Sequence, residues 1–351
     1  MGDRGEMTLH SEILEQPFSL ARLLSTQRKA VEEIAQAIQS KSVQYAFLAA
    51  RGTSDNAGRY ANYLWGGQNG LPVALATPSL FSLYQQPPKL KGALVVGISQ
   101  SGQSPDIVSV LDEGRRQGCP TLAITNASQS PLAQAADFVL DIQAGEERAV
   151  AATKTYTGEL LAIAMLSAAL SGSSQAWNEL VRVPDWIKQV LNEEAGISRM
   201  AQRYRYMRQC VALGRGYNYC TAFEWALKLK ELAYVVAEPY SSADFLHGPI
   251  AMVERGFPVM AAVPQGRVFE PLIDLLTSLR EDHLAELVVI SNEQQALALA
   301  QSPIPLPDRI PEWLSPLVCI VPAQLFTYHL TLVKGYDPDK PRTIHKVTET
   351  Q

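Results

Sequence analysis

Phe47-Leu-Ala-Ala-Arg-Gly-Thr-Ser54 and Val211-Ala-Leu-Gly-Arg-Gly-Tyr-Asn218 follow one plan: a short apolar run, then Arg-Gly, then polar residues. Each reads as a buried strand that turns and opens a helix. Further along, Leu122-Ala-Ile-Thr-Asn126 is echoed by Val288-Val-Ile-Ser-Asn292 at nearly the same offset. Two independent matches at one spacing predict a duplicated α/β domain.

Around these matches, short apolar runs alternate with amphipathic stretches, the pattern of a parallel sheet covered by helices. In the first copy strands are expected at Tyr45–Ala50, Pro72–Ala76, Ala93–Ser99, Thr121–Thr125 and Phe138–Ile142. Helices are expected at Asp55–Leu64, at Pro105–Gln117 and beyond Thr153. The expected plan is a lead over 1–30, a first domain over 31–175 and a second over 201–330. A charged linking helix containing Pro184 is expected over 176–200, and a tail rich in Pro and charge over 331–351.

The 351 residues suffice for two cores, and 47% hydrophobic with 19% charged residues is the balance of a folded protein. A net charge of -5, with both signs mixed, argues against nucleic acid, which calls for a concentrated basic face. Cys119, Cys210, Cys220 and Cys319 form no CxxC pair and are expected to be buried free thiols. Residues 1–6 are polar with no apolar stretch behind them, and Leu160–Leu170 is too short to span a membrane. A cytoplasmic protein without membrane contact is expected.

The strongest local signal is Ser99-Gln-Ser-Gly-Gln-Ser-Pro-Asp106, between a buried strand and a helix. It places hydroxyls, a glycine and free backbone N–H groups at a helix N-terminus, where the dipole favours an anion. Ser99, Ser101 and Ser104 can donate to phosphate oxygens, and Gly102 allows close approach. The plainer alternative is a common strand-to-helix turn with Ser104 as N-cap. The counterpart in the second copy, Met260-Ala-Ala-Val-Pro-Gln-Gly266, has no serine, and Pro264 removes a donor. Gly52-Thr53-Ser54 also lies at a strand's carboxyl end, where open α/β sheets bind ligands.

In Glu224-Trp-Ala-Leu-Lys-Leu-Lys-Glu231, helical spacing places Glu224, Lys228 and Glu231 on one face and Lys230 elsewhere. By pattern alone a solvated, salt-bridged face is the better reading. The functional one is a carboxylate that moves a proton between adjacent carbons while a cation stabilises the developing charge. His247, before Gly248-Pro249, belongs to a turn: either a structural histidine or a proton carrier for opening a sugar ring. The other histidines show no metal-ligand spacing.

Together these pieces resemble the double sugar isomerase (SIS) domain family, and within it the isomerase half of glutamine–fructose-6-phosphate amidotransferase. The residues that carry the likeness are Arg51-Gly-Thr-Ser54, Ser99-Gln-Ser-Gly102, Val150-Ala-Ala-Thr-Lys154, Glu224–Glu231, Phe245-Leu-His-Gly-Pro249 and Asp339-Lys-Pro-Arg342 followed by Lys346. The resemblance implies two tandem α/β/α three-layer sandwiches, flavodoxin-like in plan. It implies that Thr53, Ser54, Ser99, Gln100, Ser101 and Ser104 hold a sugar phosphate, with Gly52, Val150 and Ala152 also lining the substrate. Glu231 would shuttle the proton, Lys228 and Glu224 would support it, and His247 would assist ring opening from the partner subunit of a homodimer. Lys346 would form an imine with the open-chain keto sugar, and no metal or organic cofactor is implied.

Two positions depart from the synthase pattern. Ala152 stands where a serine is expected, and Ser-Ala-Asp244-Phe-Leu stands where the synthase has a Glu before its His-Gly-Pro. No cysteine precedes Cys119, so a glutaminase nucleophile is not expected in this chain. The resemblance therefore implies the catabolic direction of the stand-alone SIS deaminases: glucosamine 6-phosphate and water to fructose 6-phosphate and ammonia. The alternatives are an isomerase or deglycase for a galactosamine or fructosamine phosphate, and a non-catalytic phosphosugar sensor.

Overall fold

The computed structural model of the chain describes residues 8–346, which form two units. The first comprises Phe18–Glu147, Ala152–Arg182 and the chain from His345; the second comprises the chain up to Pro17, Arg148–Ala151 and Val183–Ile344.

In the first unit β1 (Tyr45–Ala49), β2 (Val73–Leu75), β3 (Ala93–Ile98), β4 (Thr121–Thr125) and β5 (Phe138–Asp141) make a parallel sheet in the order β2-β1-β3-β4-β5. Every residue of β3 and β4 is buried, as expected of central strands covered on both faces. The expected helices form at Gly52–Asn69, Pro105–Arg116 and Lys154–Ser171. The last is apolar nearly all round and is buried from Lys154 to Ala168, the mark of an interior helix.

The second unit repeats the arrangement with β6 (Gln209–Gly214), β7 (Val236–Ser241), β8 (Pro258–Ala262), β9 (Glu286–Ser291) and β10 (Ser302–Pro305). Their order, β10-β9-β8-β6-β7, is the first sheet's order read from its other edge. The repeat reaches the backbone angles. Arg51 (φ -138, ψ 152) matches Arg215 (φ -146, ψ 154), and the glycines after them, Gly52 and Gly216, have φ of 54 and 60. That left-handed conformation is one an L side chain enters only with strain, so the Arg-Gly pair is a backbone requirement.

Where one linking helix is expected, the chain makes three: Ser174–Leu180, Val183–Leu191 and Glu194–Arg203. The longest strongly apolar stretch is not Leu160–Leu170 but the region Glu312–Val333, which includes the helix Ser315–Val333. By length and composition it could cross a membrane, but 83% of its most apolar stretch is buried within the protein, as in a core helix. All four cysteines are free and buried.

Candidate active site

The order β2-β1-β3 reverses direction between β1 and β3, and the loops leaving these two strands flank that reversal in the first unit. This is the crevice where open α/β sheets take ligands. In the loop after β3, the Gly102 N–H donates to Ser99 Oγ (3.2 Å) and the Gln103 N–H to Ser101 Oγ (3.3 Å). Both hydroxyls therefore act as acceptors within the loop and keep their own protons for an outside oxygen. Ser104 stands at the N-cap of the helix Pro105–Arg116 but makes no side-chain capping bond, so the ordinary-turn alternative loses its main element. The carbonyl of Gln100 is tied down by the Asn126 N–H (3.1 Å). Gly102 has a φ of 63, and a Cβ there would stand 2.0 Å from Ser130 Oγ, so only glycine closes this turn.

The loop after β1 is joined to this one by an ion pair. Arg51 Nε and Nη2 each lie 2.8 Å from Asp106 Oδ2, and the Asp106 side chain is fully buried. Two bonds from one guanidinium fix the turn that carries Gly52, Thr53 and Ser54. Thr53 is half-buried in the first turn of its helix, whose leading N–H groups face outward from the helix. Ser54 is placed differently from the expectation: its Oγ donates to buried Glu159 (2.8 Å), which commits its proton. What Ser54 offers an anion is its backbone N–H.

The same unit holds Lys346. Its Nζ lies 2.5 Å from Glu147 Oε2, and the Glu147 side chain is completely buried. Ala152 and, in the second unit, Val150 are each partly buried.

In the second unit the helix Tyr219–Leu232 carries the ionic triad. Lys228 Nζ lies 2.6 Å from Glu231 Oε2 and 3.4 Å from Glu224 Oε1. The Lys228 and Glu224 side chains are 3% and 0% exposed, while Glu231 retains 24%. The solvated-face reading is thereby overturned: Lys230 faces solvent and the triad faces inward. Taking two charges fully and a third in part out of water is costly and is a poor way to stabilise a helix. It suits a site that needs a fixed cation and a carboxylate with one open side. His247 caps the short helix Ser242–Leu246 and is exposed; among the described residues its ring has no hydrogen-bond partner. Leu246, one residue before it, and Met252, five residues after it, are exposed as well.

The sequence profile of the SIS domain matches residues 41–169 and 205–334. The chain belongs to the SIS domain family. An isomerizing glutamine–fructose-6-phosphate aminotransferase of Thermus thermophilus is 33% identical over 349 residues, 95% of this SIS chain and 57% of that protein. The chain thus spans little more than half the length of that curated relative. Among solved structures, a candidate phosphosugar isomerase from Silicibacter pomeroyi DSS-3 is similar at TM-score 0.86 and 31% identity, covering 95% of this chain and 100% of that one. The C-terminal domain of glucosamine-fructose-6-phosphate aminotransferase from Francisella tularensis is similar at TM-score 0.84 and 25% identity, covering 96% and 99%. Within this SIS protein, sequence reasoning missed Asp106, Glu147 and Glu159. Each is a buried carboxylate, Asp106 and Glu147 in polar stretches and Glu159 in an apolar helix, and only the fold shows what each one meets.

Proposed function

We propose that this SIS protein is a glucosamine-6-phosphate deaminase, converting glucosamine 6-phosphate and water to fructose 6-phosphate and ammonia. The observation that carries the reading is buried Lys228 held between two carboxylates, of which only Glu231 is open to a reactant. The hydroxyls of Ser99, Ser101 and Ser104, with the N–H groups of Thr53 and Ser54, anchor the phosphate; Gln100 and Gly52 complete the lining. His247, acting in a homodimer from the partner subunit, moves the proton that opens the pyranose ring and frees the carbon 1 aldehyde.

Glu231 then takes the proton from carbon 2 and returns it to carbon 1. Lys228 stabilises the negative charge that develops on oxygen 1 between the two transfers, and Glu224 keeps that ammonium in place. As carbon 1 is protonated, oxygen 1 takes a proton from the carbon 2 amino group, and the product is a neutral ketimine at carbon 2. The amine of Lys346 adds there, ammonia leaves, and water cleaves the lysine imine to give the keto sugar and the free amine. Ala152 favours a second reading, an isomerase for another phosphosugar, because a methyl group replaces a hydroxyl contact to the sugar.

The test is an assay of purified protein with glucosamine 6-phosphate, following ammonia and fructose 6-phosphate together. Equal amounts of both support the deaminase. Isomerisation of another sugar phosphate, with no ammonia from glucosamine 6-phosphate, replaces it with the second reading.

A further inference from the structure

Of the adjacent residues Glu146 and Glu147, the first is exposed and the second completely buried. Oε1 of Glu147 accepts from the backbone N–H groups of Thr153 (2.9 Å) and Thr155 (3.1 Å), at the start of the helix Lys154–Ser171. Oε2 accepts from Thr155 Oγ1 (2.8 Å) and from Lys346 Nζ (2.5 Å). Three of these donors belong to one rigid helix terminus, so the carboxylate has no freedom to follow a moving lysine. The long Lys346 side chain comes to it, 23% exposed and able to leave. A helix cap needs no cation, and a surface tether needs no buried anion; this pair has both features.

We propose that Glu147 is the positioning residue of the imine-forming lysine, seating its amine and exchanging protons with it. The inference rests on the reading of Lys346 as the nucleophile. In the direction from the keto sugar, the Lys346 ammonium gives one proton to the Glu147 carboxylate. The neutral amine forms a bond to carbon 2, and its second proton passes to the carbonyl oxygen, giving a neutral carbinolamine. Glu147 returns its proton to that hydroxyl, the C–O bond breaks, and water leaves. An iminium and the original carboxylate remain, so protons and charge balance. Deamination runs through the same imine in the opposite sense.

The test is reductive trapping with cyanoborohydride and fructose 6-phosphate, with peptide mass mapping at Lys346. Wild-type protein is expected to carry the sugar on Lys346. Glu147→Gln, which keeps the shape and an acceptor oxygen, is expected to slow trapping and kcat by about a hundredfold while KM stays within about twofold. Glu147→Asp, which keeps the charge but withdraws it from the amine, is expected to lose about tenfold. If wild type traps nothing on Lys346, the nucleophile reading falls and Glu147's role with it. If wild type traps and Glu147→Gln traps as fast, the role of Glu147 alone is overturned. Should Glu147→Gln fail to fold, wild-type trapping by Glu147→Asp overturns it equally. A purely structural cap predicts losses that follow the melting temperature and raise KM as well.

Discussion

The two sheets share strand order, direction and the backbone angles of their first turns, yet their equivalent loops are furnished in opposite ways. After β3 the chain runs Ser99-Gln-Ser-Gly102, with hydroxyl protons uncommitted within the loop. After β8 it runs Val263-Pro-Gln-Gly266, where Pro264 has no N–H to give. A Cβ on Gly266 would stand 2.2 Å from the Glu312 carboxyl carbon, so a carboxylate already packs against that loop. A phosphate would meet donors in one unit and a negative charge in the other.

The helices that follow β1 and β6 differ just as sharply. Aligned on Arg51-Gly52 and Arg215-Gly216, the triad residues Glu224, Lys228 and Glu231 fall opposite Tyr60, Leu64 and Gly67. One helix presents an apolar face where the other presents three charges. The repeat places the loops and helices alike in both copies; in the proposed reading the side chains divide the work, an anion anchor in one copy and acid–base chemistry in the other.

That division can be attacked from both sides. The largest effect is expected at Glu231→Gln: turnover falls by about a thousandfold or more, while affinity for the phosphosugar by calorimetry changes little. A wild-type rate removes Glu231 as the base. Next is Gly102→Ala, where positive φ and the contact with Ser130 together cost about 3 kcal/mol and deform the anchor. Denaturant unfolding and phosphosugar affinity should both report the loss.

A third prediction concerns a cluster peculiar to the second unit. Glu194 Oε1 accepts from His10 (2.6 Å) and His329 (2.9 Å). These bonds, that of His10 foremost, pull its carboxyl from an ordinary 4.5 down to about 2. A depressed carboxylate stabilises the fold above its unfolded value, and that contribution is lost as pH falls from about 4.5 towards 2. Glu194→Gln should cost about 2 kcal/mol at neutral pH, after allowance for solvent screening. It should also remove this step from the acid unfolding curve. Hydrogen exchange that opens the first unit in its place, as pH falls, contradicts the assignment. The smallest effect is expected at Gly266→Ala, where only the tip of Glu312 must yield. We expect about 1 kcal/mol or less and no change in phosphosugar affinity; a loss of affinity breaks the asymmetry.

The fold was legible because parallel strands buried on both faces leave unbroken apolar runs, as in Ala93–Ile98 and Thr121–Thr125. The repeat was legible because Arg-Gly recurs where the backbone requires it. The site was legible in part. Ser99-Gln-Ser-Gly carries its chemistry in local spacing, but the charges of Glu224, Lys228 and Glu231 read equally as a solvated face until packing buries them. The same gap hid Asp106 and Glu147, whose partners Arg51 and Lys346 lie far away along the chain. Ser54 shows the converse: its motif was recognised, but the bond that occupies its hydroxyl comes from Glu159, on a distant helix.

In the proposed reading only one of two equivalent loops holds the phosphate. Calorimetric titration of glucosamine 6-phosphate into the Glu231→Gln protein tests it most directly, in that background alone, with Ser99→Ala and Ser101→Ala added, and with Gln265→Ala added. We expect one sugar per chain, affinity reduced by about tenfold or more when the serines are removed, and no change from Gln265→Ala. Two sugars per chain, or equal losses from both loops, would contradict it.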